Sequence, residues 1–347
     1  MHKINGVKGL MALKESQLHS TLFLTDDDVR TAFDWTEASA ALKSAYAAVA
    51  DPNMYPPRSM ARYDRRWLRV LSGIAPDAGV MGAKLIAASV KDGAASYLLP
   101  LYDLDTTALL CLMDANSITG FRTAATTALA LDTLAPGNAN RLAVIGSGFE
   151  AKMHVRALAA VRPLQSITVF SPNPLSREKF ATELAELGIP VRGAENAEVA
   201  VSGAEIIICA ARSRDENPTF HGGWLKAGTT IASIGSTLPE QREVDADTIA
   251  AADLIVADMP HEVADETGDM LAATAAGIAF SDRLVGLDEL VSGARQGRTN
   301  EDQILLYKSV GGAIQDIAVA AMCFRRAQAM GIGTPLPVTI APVQKGK

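Results

Sequence analysis

The sequence predicts an α/β fold in which a doubly wound parallel sheet follows a smaller α+β part. Three observations carry this prediction. Short apolar runs alternate with helical segments through the second half of the chain, as they do in βαβ units. One of these runs ends in a glycine-rich turn that opens a helix. Before that turn, several apolar runs of strand character follow one another closely, with helices beside them.

Length and composition are those of a globular protein with a sizeable core. The chain has 347 residues, of which 48% are hydrophobic and 20% are charged, and this length suffices for two domains. The net charge of −7 argues against nucleic acid or an anionic membrane as the main partner. The N-terminal stretch has no signal-peptide pattern, and no apolar run approaches the roughly 20 residues of a membrane span. We therefore expect a cytoplasmic protein whose residues 1–24 form an extension outside the fold.

The cysteines indicate neither disulfides nor a metal site. Cys111, Cys209 and Cys323 lie far apart, each inside an apolar run. Neither pairing nor metal-ligand spacing is present, and buried free thiols in a reducing compartment are expected. The histidines also lack metal-ligand spacing. We expect no metal.

The first part of the chain predicts helices beside a layer of strands. Thr25, followed by three aspartates, predicts a helix N-cap, and a second helix is expected from about residue 36 to 50. A long helix of small residues is expected from about residue 118 to 134, and we place the domain boundary after it. The runs that predict strands are 67–72, 80–88, 97–103 and 108–113.

The second part predicts the parallel sheet. Its strands are expected at 142–145, 166–170, 205–209, 229–234 and 254–257. We expect the run at 254–257 to be the last of these strands. The apolar stretch 304–311 is expected to lead into a long alanine-rich helix, 314–329, which ends at a glycine stop. Residues 135–311 then form the dinucleotide-binding domain.

The turn after the first parallel strand has the spacing of a dinucleotide-binding motif. Gly146 permits a tight strand-to-helix turn, Gly148 lets the backbone approach a pyrophosphate, and Ala151 lets helix and strand pack closely. The free N–H groups at the helix start then point at the phosphates. The spacing, in its strand–turn–helix context, predicts a Rossmann-type dinucleotide site. The alternative is a purely structural α/β turn.

The end of the second parallel strand favours NADP(H) over NAD(H). A carboxylate at this position binds the ribose 2′-hydroxyl of NAD, while a nearby arginine accommodates a 2′-phosphate. Here the strand ends without an acid. The candidate donors that follow are Ser171, Asn173, Ser176 and Arg177. The alternative is that Arg177 simply begins a solvated helix.

Three cations before the glycine turn are candidates for chemistry. Arg58 follows two prolines that present it rigidly, and a guanidinium binds a carboxylate bidentately. Lys84 lies inside a strand of small and apolar residues, where burial would lower its pKa and make it a proton donor at neutral pH. Arg122 lies near the start of the long helix, where a cation suits a pyrophosphate. The alternative for each is a surface cation or a structural salt bridge.

Four motifs together resemble the ornithine cyclodeaminase/mu-crystallin family. They are the Phe121–Thr126 segment, the Gly146–Gly148 turn, the Ile234–Glu243 segment and the Lys308–Gly311 segment. They occur in the family's order, and the similarity spans about residues 25 to 335. The resemblance implies a homodimer built through an N-terminal α+β substrate-binding domain, 25–134, which the C-terminal segment 312–347 rejoins. It also implies substrate bound in the cleft beside the Rossmann domain.

The resemblance assigns roles to residues of this chain. Arg58 would bind the substrate carboxylate, and Lys84 would be the catalytic group at the reacting nitrogen. Val310 would contact the substrate. The expected cofactor contacts are Arg122, Gly146, Gly148, Phe149, Glu150, Ser171, Asn173, Ser176, Arg177, Gly235, Ser236 and Ser309.

One departure from the family shapes the expected reaction. Cyclodeaminase members carry an aspartate where this chain has Ser236. A hydroxyl cannot serve as a carboxylate base near neutral pH, although Glu240 is a nearby acid that would substitute. Together with Arg58 and Lys84, this favours NAD(P)H-dependent reduction of α-imino acids to L-amino acids. Cyclic ketimines such as Δ1-pyrroline-2-carboxylate or Δ1-piperideine-2-carboxylate are the expected substrates.

Two alternatives stay open at this point. One keeps the family and changes the reaction to that of an ornithine cyclodeaminase or an amino acid dehydrogenase. The other is a non-catalytic, crystallin-like binding protein. Asp316, on the late helix, is a further candidate, either to orient the cofactor or to cap a neighbouring loop.

Overall fold

The computed structural model describes residues 20–89, 91–211, 217–337 and 340–343 and arranges their strands in two sheets. Most of the predicted N-terminal extension lies outside the described residues. The strands are β1 (Leu22–Leu24), β2 (Ser59–Tyr63), β3 (Arg66–Ala75), β4 (Val80–Ser89), β5 (Ala94–Asp103), β6 (Leu109–Asp114), β7 (Arg141–Ile145), β8 (Ser166–Phe170), β9 (Val191–Gly193), β10 (Ile206–Cys209), β11 (Thr230–Ser233), β12 (Leu254–Ala257), β13 (Leu284–Gly286), β14 (Leu305–Lys308) and β15 (Thr334–Pro335). The α-helices are α1 (Asp26–Ala32), α2 (Trp35–Ala47), α3 (Asn116–Leu134), α4 (Phe149–Val161), α5 (Pro174–Glu183), α6 (Ala197–Val201), α7 (Ala246–Ala251), α8 (Pro260–Glu266), α9 (Gly268–Ala275), α10 (Leu287–Val291) and α11 (Ala313–Met330).

The first sheet is mixed, with the strand order β15-β1-β6-β5-β4-β3-β2. Strands β2 to β6 pair antiparallel in sequence, and β1 lies parallel to β6. Leu71 pairs with Lys84, and Arg69 pairs with Ile86. Because side chains alternate between the two faces of a sheet, these four lie on one face. The sequence did not predict β2, whose mixed residues are mostly exposed.

The first helices form as their capping and periodicity predict. The Thr25 hydroxyl accepts a hydrogen bond from the backbone N–H of Asp28 at 3.2 Å, and the Asp28 carboxylate accepts one from the Thr25 backbone N–H at 2.9 Å. This capping box satisfies free N–H groups at the start of α1. Helix α2 buries Ala38, Leu42 and Tyr46 along one side.

The second sheet is parallel throughout, with the strand order β13-β12-β14-β11-β10-β7-β8-β9. Its central strands are almost continuously buried, as is usual when helices cover both faces of a parallel sheet. The order reverses direction between β7 and β10, which places the carboxyl ends of these strands beside a crevice. The predicted α/β class with a doubly wound parallel sheet is confirmed.

The prediction that residues 254–257 form the last strand of this sheet is wrong. Two further strands, β13 and β14, follow β12, and the short strand β9 was also not predicted. β14 lies between β11 and β12, inside the sheet. Its four residues are fully buried, and so short an apolar run beside a long helix gives no periodicity that separates strand from helix.

The last long helix returns to the first sheet. Helix α11 packs against β3 and β4 and against α1, α2 and α3, and β15 then adds to the edge of the same sheet by pairing with β1. Residues 313–324 of α11 are all buried, which explains the alanine-rich, apolar sequence of this part of the helix. Within the described ranges, no helix combines the length and the apolar character that crossing a bilayer requires.

Candidate active site

The glycine turn between β7 and α4 is open to a phosphate group. Gly146 has φ of +113°, and a Cβ there would lie 2.6 Å from the Ala210 carbonyl oxygen. Any residue other than glycine is therefore excluded at this position, both by the positive φ and by the clash of its Cβ with the carbonyl oxygen. Gly148 is the N-cap of α4, no side chain caps this helix, and the space around its missing Cβ is open. The turn thus presents the first N–H groups of α4 to the crevice, and this arrangement fits a dinucleotide pyrophosphate.

The first turn of α4 faces the long helix α3. The Phe149 ring packs on Gly120, where an added Cβ would lie 2.6 Å from a ring carbon, and the ring remains half-exposed. Glu150 lines the cavity described below. His154, one turn later, is buried, and its Nδ1 lies 2.7 Å from the Glu150 carbonyl oxygen. Burial lowers the pKa of His154 to about 4, which makes it a neutral packing residue at pH 7.

The end of β8 carries a guanidinium and no carboxylate. The Arg177 guanidinium donates a hydrogen bond to the Ser171 carbonyl oxygen at 2.6 Å, so it is held at this strand end. The Asn173 side chain accepts from the Leu175 N–H at 2.9 Å and caps α5. Ser176 lies in the first turn of the same helix. These are the groups named from the sequence, and the structure brings them together at one edge of the parallel sheet.

A cavity of about 240 Å³ lies between the two sheets. One wall is the face of the first sheet that carries Lys84, and the opposite wall is formed by loops at the carboxyl ends of the parallel strands. Its lining residues are Arg58, Trp67, Arg69, Leu71, Lys84, Ile86, Tyr97, Thr119, Arg122, Thr123, Glu150, Ala210, Ile234, Gly235, Thr237, Ser309, Val310 and Gly311. The cavity thus brings together candidate substrate and cofactor residues that are far apart in sequence.

Lys84 is fully buried and reaches the cavity beside an aspartate from α11. Its Nζ lies 2.6 Å from Asp316 Oδ1 and 3.4 Å from Thr119 Oγ1. The Arg122 Nε lies 3.1 Å from the same Asp316 oxygen, so two cations share one carboxylate. Burial lowers the pKa of Lys84 to about 8, while the Asp316 charge opposes this and the Arg122 charge adds to it. Lys84 is therefore mainly protonated at pH 7 but gives up a proton far more readily than an exposed lysine.

Asp258, which follows β12, holds the loop after β14 in place. Its carboxylate accepts hydrogen bonds from the Ser309 hydroxyl at 2.6 Å and from the N–H groups of Val310 at 3.0 Å and Gly311 at 2.8 Å. Gly311 has φ of +83°. Charge-assisted bonds to three successive residues fix the positions of Ser309 and Val310 in the cavity wall.

Gln315 links this loop to the cations. Its side-chain N–H groups donate to Asp258 at 2.9 Å and to the Tyr46 hydroxyl at 3.0 Å, and its carbonyl oxygen accepts from Arg122 at 2.5 Å. Arg122 in turn lies so close to Gly311 that any Cβ there would lie 2.1 Å from the guanidinium. Asp258 and Gln315 were not predicted from the sequence. A signal was present for Asp258, which stands at the carboxyl end of a parallel strand, where ligand sites form.

Arg58 reaches the cavity from the segment before β2. Its Nε lies 3.0 Å from Glu262, its Nη2 lies 2.6 Å from Glu266, and its backbone N–H donates to Glu262 at 3.2 Å. Both glutamates belong to α8. These ion pairs hold the guanidinium, whose side chain is only 8% exposed. The cavity wall also contains Arg69, which the sequence analysis did not single out.

Gly235 and Ser236 lie in the loop after β11. Gly235 lines the cavity, and its N–H donates to Glu243 at 2.8 Å. Ser236 is fully buried outside the lining, and its hydroxyl donates to the Gln241 carbonyl oxygen at 2.6 Å. Glu240 is exposed on the same loop. In this geometry the hydroxyl of Ser236 fixes the loop.

A second buried lysine lies behind this loop. The Lys308 Nζ lies 2.9 Å from Asp269 and donates to the Ser233 hydroxyl at 3.0 Å and to the Ser236 carbonyl oxygen at 2.9 Å. Burial raises the pKa of neighbouring Glu243 to about 7, although Lys308 and several hydrogen bonds favour its charged form. The network ties the ends of β11 and β14 to α9.

The described residues contain no group of three or more His, Cys, Asp or Glu side chains arranged to hold a metal ion. Cys111, Cys209 and Cys323 are free and buried. Burial raises the pKa of Cys111 and Cys323 to about 12.

Comparison with known proteins identifies the family of this chain. The sequence profile of the Ornithine cyclodeaminase/mu-crystallin family matches residues 20–331. The chain belongs to this family. The resemblance inferred from the four sequence motifs is thereby confirmed, and with it the expectation that the similarity covers nearly the whole chain.

Curated relatives and solved structures match this chain over most of its length. The Δ1-pyrroline-2-carboxylate reductase of Bacillus cereus is 31% identical over 238 residues, which are 68% of this chain and 72% of the relative. The alanine dehydrogenase of Archaeoglobus fulgidus is 27% identical over 323 residues, which are 91% of this chain and 98% of the relative. The structure of Thermococcus litoralis Δ1-pyrroline-2-carboxylate reductase in complex with NADH and L-proline matches with a TM-score of 0.83 at 28% identity. It covers 91% of this chain and 100% of that chain.

Proposed function

We propose that this protein reduces the C=N bond of α-imino acids to give L-amino acids, with a nicotinamide dinucleotide as reductant. Cyclic ketimines such as Δ1-pyrroline-2-carboxylate or Δ1-piperideine-2-carboxylate are the substrates. The observation that carries the proposal is the position of Lys84, buried beside Asp316, in the same cavity as Arg58 and the loops near the glycine turn. Relatives named as Δ1-pyrroline-2-carboxylate reductases support the substrate class.

The Gly146 turn and the start of α4 would hold the pyrophosphate of the dinucleotide. Arg122, Gly235 and Ser309, which line the neighbouring cavity, would be further cofactor contacts. When bound, the reduced nicotinamide supplies the hydride that the imine carbon accepts. The residues of this chain do the rest by binding and orienting the imino acid and by providing a proton.

Lys84 provides the proton for the imine nitrogen. Reduction adds a hydride to the carbon and a proton to the nitrogen of the C=N bond, so a donor must lie on the nitrogen side. A pKa near 8 keeps most of Lys84 protonated at pH 7 and still makes proton transfer easy. Asp316 and Thr119 hold the ammonium group in place, which is mainly positional catalysis.

Arg58 binds the substrate carboxylate. A guanidinium held by Glu262 and Glu266 is fixed before substrate arrives, so little entropy is lost when the carboxylate docks. Val310, fixed through Asp258, forms the apolar contact on the opposite wall. Ser236 carries no carboxylate, which supports imine reduction over ornithine deamination.

We assign NADP(H) as the preferred cofactor. The absence of a carboxylate at the end of β8 and the presence of Arg177 there support this preference. Ser171, Asn173 and Ser176 complete the ribose side of the site. Steady-state KM values for NADPH and NADH, measured with one imine, test the assignment, and a lower KM for NADH would contradict it.

The protein acts as a homodimer in the cytoplasm. The face of the first sheet opposite Lys84 exposes Leu68, Ile74 and Leu98, and a partner subunit would cover these apolar side chains. Three buried free thiols suit a reducing compartment. Light scattering on the purified protein distinguishes a dimer from a monomer.

The reaction is tested by mixing the purified protein with Δ1-pyrroline-2-carboxylate and NADPH or NADH. The expected result is loss of the reduced nicotinamide absorbance and formation of L-proline in equal amount. Release of ammonia from L-ornithine without net cofactor consumption would instead identify a cyclodeaminase. Neither reaction, with intact folding and cofactor binding, would leave a binding protein as the better account.

A further inference from the structure

Glu243 is a fully buried carboxylate to which the proposed reaction gives no role. Among the residues that the structure describes, it forms no ion pair, since the nearby Lys308 pairs instead with Asp269. Burying an ionised carboxylate is costly unless its oxygens accept hydrogen bonds. The hydrogen bonds that Glu243 accepts therefore show what its charge is used for.

The Glu243 carboxylate joins the carboxyl ends of two neighbouring strands of the parallel sheet. Its Oε2 accepts hydrogen bonds from the Ser233 hydroxyl at 2.7 Å and from the N–H groups of Ile234 at 2.9 Å and Gly235 at 2.8 Å, where β11 ends. Its Oε1 accepts one from the Ala211 N–H at 2.8 Å, in the loop after β10. One side chain thus fixes both loops through four charge-assisted hydrogen bonds.

Both loops lie at the proposed cofactor site, since Ala210 and Gly235 line the cavity. The Ala210 carbonyl oxygen lies so close to Gly146 that a Cβ on that glycine would be 2.6 Å away. Gly235 allows a similar approach, because a Cβ there would lie 2.3 Å from Glu243 Oε1. A displacement of the carboxylate would therefore be felt both at the glycine turn and in the loop after β11.

The backbone of Glu243 is itself held on two sides. Its N–H donates to Asp269 Oδ1 on α9 at 2.7 Å. Its carbonyl oxygen accepts hydrogen bonds from the N–H groups of Thr219 at 2.9 Å and Phe220 at 3.0 Å. These contacts make Glu243 a fixed point to which the two loops are attached.

The groups around Glu243 place its titration near neutral pH. Burial raises the pKa of Glu243 to about 7, against the Lys308 charge on β14 and the hydrogen bonds that it accepts, while the Asp269 charge on α9 raises it further. The Cys209 thiol of β10 also faces it, and burial followed by the Glu243 charge raises the pKa of that thiol well above its usual value. The carboxylate is therefore charged above about pH 7, and its protonation below this pH removes an acceptor from the loop N–H groups.

We propose that Glu243 is a positioning residue for the dinucleotide, whose carboxylate holds the loops after β10 and β11 in the form that binds the cofactor. This inference rests on the proposed function only for the position of the cofactor at these loops, and it holds for any imino acid substrate. Glu243→Gln keeps the size of the side chain. Its amide N–H₂ group would face backbone N–H groups that need an acceptor, so the loops would lose part of their support.

Dissociation constants for NADPH and NADH, measured by fluorescence titration at pH 8, test the assignment. In Glu243→Gln both should rise about 10-fold, the scale of one lost hydrogen bond to a charged group. KM for the imine should stay close to the wild-type value, since the side chain that changes lies behind the cofactor loops.

The pH dependence of cofactor binding gives a second readout. NADH is the probe, because it lacks the 2′-phosphate, which would titrate in the same range. For the wild-type protein we expect Kd to be about 10-fold higher at pH 6 than at pH 8, as for one group with a pKa of about 7 whose charged form is required. This dependence should be absent in Glu243→Gln.

Glu205→Gln is the matched control. The Glu205 carboxylate accepts hydrogen bonds from the backbone N–H groups of Asn140 at 2.8 Å and Arg141 at 3.1 Å. It thus joins β7 and β10 at their amino ends, away from the crevice. This variant should lose stability in thermal melting without a change in either dissociation constant.

The outcomes separate this inference from the proposed reaction. Unchanged dissociation constants in folded Glu243→Gln, an equal rise in Glu205→Gln, or a pH dependence that Glu243→Gln retains would each overturn the role of Glu243. If Glu243→Gln does not fold, equal wild-type Kd values for NADH at the two pH values would overturn it. Nucleotide binding without imine reduction would overturn the proposed reaction alone. A folded wild-type protein that binds neither nucleotide would overturn both.

Discussion

Lys84 and Lys308 are both fully buried, and each forms an ion pair with an aspartate on a helix. Their surroundings differ. Lys308 lies outside the cavity lining and donates to Ser233 and Ser236 in addition to its pairing with Asp269. Lys84 lines the cavity and, among the described residues, has besides its aspartate one long contact of 3.4 Å to a threonine hydroxyl.

Under the proposed function, this difference separates a structural ion pair from a catalytic one. An ammonium group has three donors. The partners of Lys308 use all of its donors and hold two loops together, whereas Lys84 keeps donor capacity toward the cavity. A second cation, Arg122, also shares the aspartate of Lys84 and adds to the lowering of its pKa. Burial alone therefore does not distinguish a catalytic lysine from a structural one. The number of ammonium N–H donors that remain without a partner does.

The largest expected effect is on the rate of the Lys84→Met variant. Removing the proton donor should lower kcat for imine reduction by about 10²- to 10⁴-fold, the usual contribution of general acid catalysis. Arg122 still neutralises Asp316 in this variant, so the protein should remain folded and bind cofactor. Steady-state kinetics with Δ1-pyrroline-2-carboxylate measure the loss. Full activity would show that Lys84 does not act at the nitrogen.

Lys308→Met should show the opposite pattern. It leaves Asp269 buried without a cation, which costs about 3–5 kcal/mol of unfolding free energy. The Glu243 and Val244 N–H groups that remain bonded to Asp269 keep the cost within that range. Urea unfolding measures the change, with Lys84→Met as the matched variant and a smaller loss expected there. A greater loss of stability in Lys84→Met would reverse the roles assigned to the two lysines.

The pH dependence of reduction should report Lys84. Its pKa is lowered to about 8, so the donor is protonated below this pH, and kcat/KM should fall as pH rises through about 8. The Asp316 charge raises this pKa against the effects of burial, Arg122 and Arg69. Asp316→Asn should therefore move the limb to lower pH. If the fall in kcat/KM stays at the same pH in this variant, or moves to higher pH, a group other than Lys84 causes it.

The smallest effect is expected from Thr119→Val. The hydroxyl accepts a hydrogen bond from Lys84 at 3.4 Å, which is a weak bond by its length. Its loss should lower kcat by less than about tenfold, the scale of one ordinary hydrogen bond. Thr123→Val, at a neighbouring lining position whose hydroxyl donates to the Thr119 carbonyl oxygen, is the matched control. Equal losses of kcat in the two variants would show that the Thr119 hydroxyl does not act through Lys84.

The sequence predicted the elements whose signals are local. The Thr25 cap, the Gly146 turn and the unusual lysine in β4 are visible in short stretches of chain, and the fold class followed from strand–helix alternation. Strand β14 was missed because its neighbours in the sheet, β11 and β12, supply the pairing that makes it a strand.

The partners of the cations could not be read from the sequence for the same reason. Asp316 lies 232 residues from Lys84, and Glu262 lies 204 residues from Arg58. Only the packing of α11 against the first sheet, and the contact of α8 with the segment before β2, bring these groups together. Arg69 was not singled out because an arginine near other charged residues predicts a surface cation, and only the fold shows that it lines the cavity.

The most direct test of the account follows the hydride. Reduced cofactor deuterated at both C4 positions of the nicotinamide is mixed with the protein and Δ1-pyrroline-2-carboxylate, and the L-proline formed is examined by mass spectrometry and NMR. The account predicts one deuterium at Cα for each cofactor oxidised, and loss of this transfer in Lys84→Met. Unlabelled proline, or no turnover by a folded protein that binds both ligands, would contradict it.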